Sequence, residues 1–134
     1  MLMRLFQKKQ SKKTYNPVVP SGLIAKTEKG YFYIKNKKKF KFVSDRAMIS
    51  WSLPIIETKD AMLSGYTLFG SLGFRDGTLV KDISDGKIYL ISDSKRRHIT
   101  EPDILEWLNT EVISVGQKEI LAHEEGEDLD GNIN

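Results

Sequence analysis

No cysteine occurs in the 134 residues, so neither a disulfide framework nor a thiolate metal site can be built. There are only two histidines, His98 and His123, and neither stands at metal-ligand spacing from another imidazole. No stretch approaches the roughly 20 apolar residues that span a bilayer. Acid is missing from one end and base from the other. Residues 1 to 20 carry Arg4, Lys8, Lys9, Lys12 and Lys13 without a carboxylate, and residues 119 to 134 carry Glu119, Glu124, Glu125, Glu127, Asp128 and Asp130 without lysine or arginine. The formal net charge of +3 conceals this polarity. Opposite charge at the two ends either favours head-to-tail association or docking on a larger particle, or marks two solvated tails.

Catalytic and ligand-cradling signatures are missing as well. Gly70-Ser71-Leu72-Gly73 is not followed by the lysine and hydroxyl that a phosphate loop needs. Asp128-Leu129-Asp130-Gly131-Asn132 fails as a calcium loop, because its first ligand position falls on Gly126 and its closing glutamate would lie past Asn134. No nucleophile elbow or triad is visible, so the expectation is a protein that is not an enzyme, with no catalytic residues, no cofactor and no metal. The opening Met1 to Lys8 lacks the apolar run of a signal peptide, which predicts synthesis in the cytoplasm.

What the chain does have is repetition. Gly22-Leu23-Ile24-Ala25-Lys26 returns as Gly77-Thr78-Leu79-Val80-Lys81, and Gly30-Tyr31-Phe32-Tyr33-Ile34 as Gly86-Lys87-Ile88-Tyr89-Leu90. After one inserted residue the spacing reads as 56, with Lys39 against Lys95, Ser44 against Thr100 and Trp51 against Trp107. More loosely, Met62-Leu63 matches Ile120-Leu121 and Gly65 to Leu68 matches Gly126 to Leu129. A hydrophobic content of 40% and an aromatic content of 10% fit a folded chain. Units of this size are marginal alone, so the two are expected to pack together. The predicted fold is α+β, with two tandem copies of a small antiparallel sheet plus helix packed as one compact domain. Residues 1–20 read as an extended basic arm, 21–68 as the first repeat, 69–75 as a packed connector, 76–129 as the second repeat and 130–134 as an acidic tail.

Within each copy a short strand, a glycine turn and a second strand lead through a polar turn into a third strand. The second strands are apolar on both faces, as in Ile88-Tyr89-Leu90-Ile91, and are expected in mid-sheet. Lys39-Phe40-Lys41-Phe42 alternates, so its phenylalanines share a face and are expected to fill the core between the units. A helix follows, capped by Ser44 or Thr100, and each tryptophan is expected to pack its helix onto its sheet. The helix after each short fourth strand, Ile55-Ile56 or Val112-Ile113, is expected to end near Gly65 or Gly126.

The basic clusters are the one constellation with a claim on a ligand. Lys37, Lys38, Lys39 and Lys41, with Lys95, Arg96 and Arg97, fall at corresponding hairpins, and with the arm residues Lys8, Lys9, Lys12 and Lys13 they are the candidate partner-binding residues. Cations beside Tyr31, Tyr33 and Phe40 suit phosphates and stacked bases, which makes a nucleic-acid-binding accessory protein the second reading. Gly77-Thr78-Leu79-Val80-Lys81, Ile88-Tyr89-Leu90-Ile91 and Lys95-Arg96-Arg97-His98-Ile99 together resemble a short repeat of bacterial surface proteins and some tailed-phage proteins. The likeness covers residues 76 to 129 well and 21 to 68 poorly, since Phe40-Lys41-Phe42-Val43 replaces the basic pair. It implies a non-enzymatic structural module that assembles with itself or with other virion proteins in the host cytoplasm, as a tail, neck, baseplate or capsid-decoration component, with no membrane span.

Overall fold

Two-residue turns set the pattern of both sheets. The computed structural model describes residues 19–130. Strands β1 (Ile24–Thr27), β2 (Gly30–Lys35) and β3 (Lys38–Phe42) form an antiparallel meander. Asn36 and Lys37 at its second tip take left-handed φ values of 51° and 65°, the geometry that matches the twist of the strands they join. Helix α1 (Asp45–Ser50) follows, then β4 (Ile55–Glu57), a 3-10 turn (Asp60–Leu63) and β5 (Thr67–Leu72). The outer strands add in parallel, β4 beside β1 and β5 beside β3, to give the order β4-β1-β2-β3-β5. The sheet is therefore mixed, with the predicted antiparallel ladder as its centre.

The chain then repeats this path. β6 (Leu79–Asp82), β7 (Ile88–Ser92) and β8 (Lys95–His98) form the second meander, again with a left-handed pair, Asp93 and Ser94, at the tip. Helix α2 (Pro102–Leu108), β9 (Val112–Val115) and α3 (Gln117–Ile120) complete it, and β9 pairs in parallel with β6. The place of β5 is taken by the acidic stretch, which bridges Arg96 to Glu125 and Ile99 to Leu129 in parallel. Both second strands lie inside their sheets, as expected.

The order of the repeat is as predicted, but its register is not. Ile24 lies opposite Tyr33, whereas Leu79 lies opposite Leu90 rather than Tyr89. The two-residue turn Glu28-Lys29 is replaced by Ile83 to Gly86, two residues longer, in which Asp82 accepts hydrogen bonds from the Ser84 amide and hydroxyl. From there the copies run 57 apart, as the N-caps Ser44 and Glu101 and the strand starts Ile55 and Val112 show. Matching Gly30 to Gly86 by identity hides the second inserted residue. A slip of one residue sends each side chain of a strand to the other face. The counterpart of Phe40 is therefore Arg97, that of Phe42 is Ile99, and that of Trp51 is Leu108.

This corrects several expectations. Trp107 is 73% exposed and is not a core residue, whereas Trp51 stacks on Tyr33 with ring centroids 5.7 Å apart. The second helix is capped at Glu101, not Thr100, with Pro102 in its first turn. The first short helix ends at Leu63, near Gly65 as expected, but α3 ends at Ile120, well before Gly126. The connector reading of residues 69–75 cuts through β5, which runs from Thr67 to Leu72.

Each sheet is covered on both faces. In the first unit α1 places Met48 against Ile24 and Phe42, and the 3-10 turn places Leu63 against Ala25, Phe32 and Ile34. Phe42 thus fills its own unit's core rather than the space between units. In the second, Ile104 of α2 covers Leu79, Ile99 and Leu129, while the far face packs Val80, Tyr89, Ile91, Val115 and Ile120 around Ala47 of α1. Helix α1 is therefore shared, with Met48 in one core and Ala47 in the other. Trp51→Ala is expected to lower stability by about 3 kcal/mol and Trp107→Ala to leave it within about 0.5 kcal/mol. Urea unfolding of both variants checks the contrast, and equal losses would contradict the register described here.

Candidate interaction surfaces

The junction between the units is built around a buried carboxylate. Glu119 is 5% exposed, and its Oε2 accepts from the Ser44 hydroxyl at 2.6 Å and from Arg46 Nε at 3.1 Å. Its Oε1 accepts from the second guanidinium nitrogen of Arg46 at 2.6 Å and from the Gly116 amide at 2.9 Å. Ser44 also accepts from the Ala47 amide as N-cap of α1. In the sequence Glu119 opens the acidic end of the chain. Burial works against its charge, but the bonds from Arg46, Ser44 and Gly116 outweigh it and hold the carboxyl below its ordinary range. Two further contacts close the junction: Trp51 Nε1 donates to the Gly73 carbonyl at 2.9 Å, and the Arg75 amide donates to the Ser50 hydroxyl at 3.1 Å.

A second tie repeats in each unit with different chemistry. The Val19 amide donates to the buried Tyr66 hydroxyl at 3.0 Å. At the corresponding place the Phe74 amide donates to His123 Nε2 at 2.9 Å, while His123 Nδ1 lies 2.7 Å from the Ser94 carbonyl. Both bonds form only when Nδ1 carries the proton and Nε2 the lone pair, so the imidazole is neutral. Burial pushes its pKa below the ordinary 6.5, against the opposing pull of the Ser94 carbonyl and Asp76. A Cβ on Gly73 would run into this ring, which explains why glycine precedes Phe74.

Most of the predicted basic residues are engaged within the chain. Lys39 and Lys41 lie 5.2 and 5.7 Å from the Phe32 ring centroid. Lys39 also approaches Asp60 at 3.9 Å, and Lys41 donates to the Lys29 carbonyl at 3.0 Å. Their counterparts Arg96 and His98 flank the Tyr89 ring at 5.9 and 5.5 Å. The repeat thus preserves an aromatic ring flanked by two basic side chains, a pairing visible only in the corrected register. Lys37 lies 5.3 Å from Tyr66 and Lys38 4.3 Å from Phe69. Arg96 donates to the His123 carbonyl, and Arg97 Nε to the Glu127 carbonyl at 3.0 Å. Lys95 and Arg97 line an open depression with Asp93, Glu125 and Glu127, a surface of mixed sign. Of the proposed stacking residues, Tyr33 lies under Trp51, and Phe40 is wedged between Tyr33 and Phe69. Lys8, Lys9, Lys12 and Lys13 lie outside the described residues.

The sequence pattern did not single out the outer face of α2. Arg46, Ala47 and Ser50 of α1 make the junction with the second unit, and their counterparts on α2 are Asp103, Ile104 and Trp107. Asp103 and Trp107 are exposed, whereas Ile104, unlike Ala47, is buried in its own unit's core. Trp107 thus stands at the position by which the first unit's helix meets the second unit. Among the described residues no group of histidine and acid side chains is arranged to hold a metal ion, and no helix is long and apolar enough to cross a membrane. No family model, curated protein or solved structure matches this chain.

Two acid transitions follow from the shifted groups. The His123 value is lowered, so the unfolded chain takes up the proton first, and stability present above the ordinary histidine value of 6.5 is lost as pH falls below it. Glu119, also lowered, adds a second loss as pH falls below its ordinary 4.5. Urea midpoints measured from pH 8 to pH 3 should fall in both windows, and His123→Gln should remove the upper one. Gly73→Ala should cost about 1–3 kcal/mol by crowding the His123 ring, read as a lowered thermal midpoint.

Proposed function

We propose that this protein is a non-enzymatic assembly component, a structural part of a tailed-phage particle such as a tail, neck, baseplate or capsid-decoration protein. In this reading its duplicated unit is a packing module, and the exposed face of α2 is the surface that meets a neighbour. The observation that carries the reading is Trp107, 73% exposed at the position where Ser50 of the first unit bonds the second. Exposed tryptophan is a costly surface residue unless a partner covers it, and tryptophan is among the residues on which binding energy concentrates. The link to a phage particle rests on the resemblance of residues 76 to 129 to the repeat of such proteins.

A nucleic-acid-binding role has one local observation in its favour. Phe69 is 59% exposed with the Lys38 ammonium 4.3 Å from its ring centroid, a pairing able to receive a stacked base beside a phosphate. The engagement of Lys39, Lys41, Arg96 and Arg97 within the chain makes it the weaker reading.

The two readings separate in a particle-incorporation experiment. Trp107→Ala is expected to reduce the amount of this chain in purified particles at least tenfold, whereas Phe69→Ala with Lys38→Ala leaves it unchanged. Finding the wild-type chain only free in producing cells would overturn the assembly reading, and salt-sensitive retention on single-stranded DNA lost in the Phe69/Lys38 variant would favour the second.

A further inference from the structure

We infer that copies of this chain join head to tail, the outer face of α2 in one copy packing on the first unit of the next as α1 packs on the second unit within the chain. This rests on the assembly reading and names its partner as a second copy.

The internal junction supplies the template. It pairs Ser50 with the Arg75 amide and Arg46 with Glu119. At the corresponding positions of α2 and of the first unit both pairs are replaced, and the replacements match each other. Trp107 stands for Ser50, and Pro20, which is exposed, stands for Arg75. Proline has no amide hydrogen to donate and tryptophan no hydroxyl to receive it, so a polar contact becomes a ring-against-ring apolar one. Asp103 stands for Arg46, and the place of Glu119 is taken by Met62, one turn of chain from the exposed Lys59. The sign of the charge pair is thereby reversed, with acid on the helix and base on the receiving unit. Around these positions α2 carries Glu101 and Glu106, while on the receiving side Lys29 is paired with Asp60 at 3.5 Å and Glu28 lies beside Lys59, so the attraction between the two faces rests on Asp103 meeting Lys59. Two α2 faces meeting each other would instead oppose acid to acid, which disfavours a symmetric pair.

Sedimentation velocity of the full chain over a concentration series tests this. Species larger than the monomer are expected at low salt and should diminish at high salt as the charges are screened. Trp107→Ala should weaken association roughly tenfold or more. Asp103→Lys and Lys59→Glu should each abolish it alone and restore it when the two variant proteins are mixed, because each then offers the other a complementary face. Unchanged urea midpoints would show that the variants remain folded. A monomer at every concentration, or association indifferent to Trp107→Ala and to both charge swaps, overturns the inference. If the chain stays monomeric while Trp107→Ala still removes it from particles, self-stacking fails and the assembly reading stands. Self-association as expected by a chain that never enters particles gives the reverse result.

Discussion

A carboxylate out of water must be fully bonded or it will not stay charged, and Glu119 shows how this fold meets that demand. Its two oxygens collect bonds from the cap residue of one helix, the guanidinium two positions further on and the amide that starts another helix. Removing one partner of such a pair is expensive because the other is left desolvated. The same serine that caps α1 also orients the carboxylate, so local helix formation and the joining of the two units are one event. The angle between the sheets, the placing of Ala47 in the second core and the approach of Trp51 to Gly73 all depend on that joint.

Neither unit is complete alone. Each has about the size at which a single core is marginal, and α1 divides its apolar residues between two sheets, Met48 to one and Ala47 to the other. This is the economy of a stacked repeat, in which a neighbour supplies the surface that one unit lacks. The variation between copies falls where stacking tolerates it. Tyr66 and His123 do the same tethering with a hydroxyl and an imidazole, and the flanking of Phe32 by lysines becomes that of Tyr89 by Arg96 and His98.

Much of this was legible in the residues. The glycine turns, the alternation in Lys39 to Phe42 and the apolar second strands give the meanders, the order of elements and the tandem plan. The register was not legible, because Gly30 and Gly86 invite a match that the longer turn at Ile83 to Gly86 breaks, and two tryptophans one residue out of phase complete the false alignment. The partner of Glu119 was not legible either, since an ion pair linking the exposed Arg46 to a distant buried glutamate leaves no local pattern. The basic residues were found, but their engagement by Phe32, Tyr89 and nearby carbonyls depends on which face of the strand they occupy.

The parallel placing of β5 beside β3 also has a consequence for how the chain can be varied. Because each unit begins where the previous fifth strand ends, Leu72 of the first unit and Phe74 of the second are separated only by Gly73, and that glycine has no room for a side chain. The joint between the copies is therefore a fixed corner rather than a tether. Length differences can accumulate at the hairpin tips, as the turn from Ile83 to Gly86 already shows, but at the corner a single added residue would rotate everything that follows.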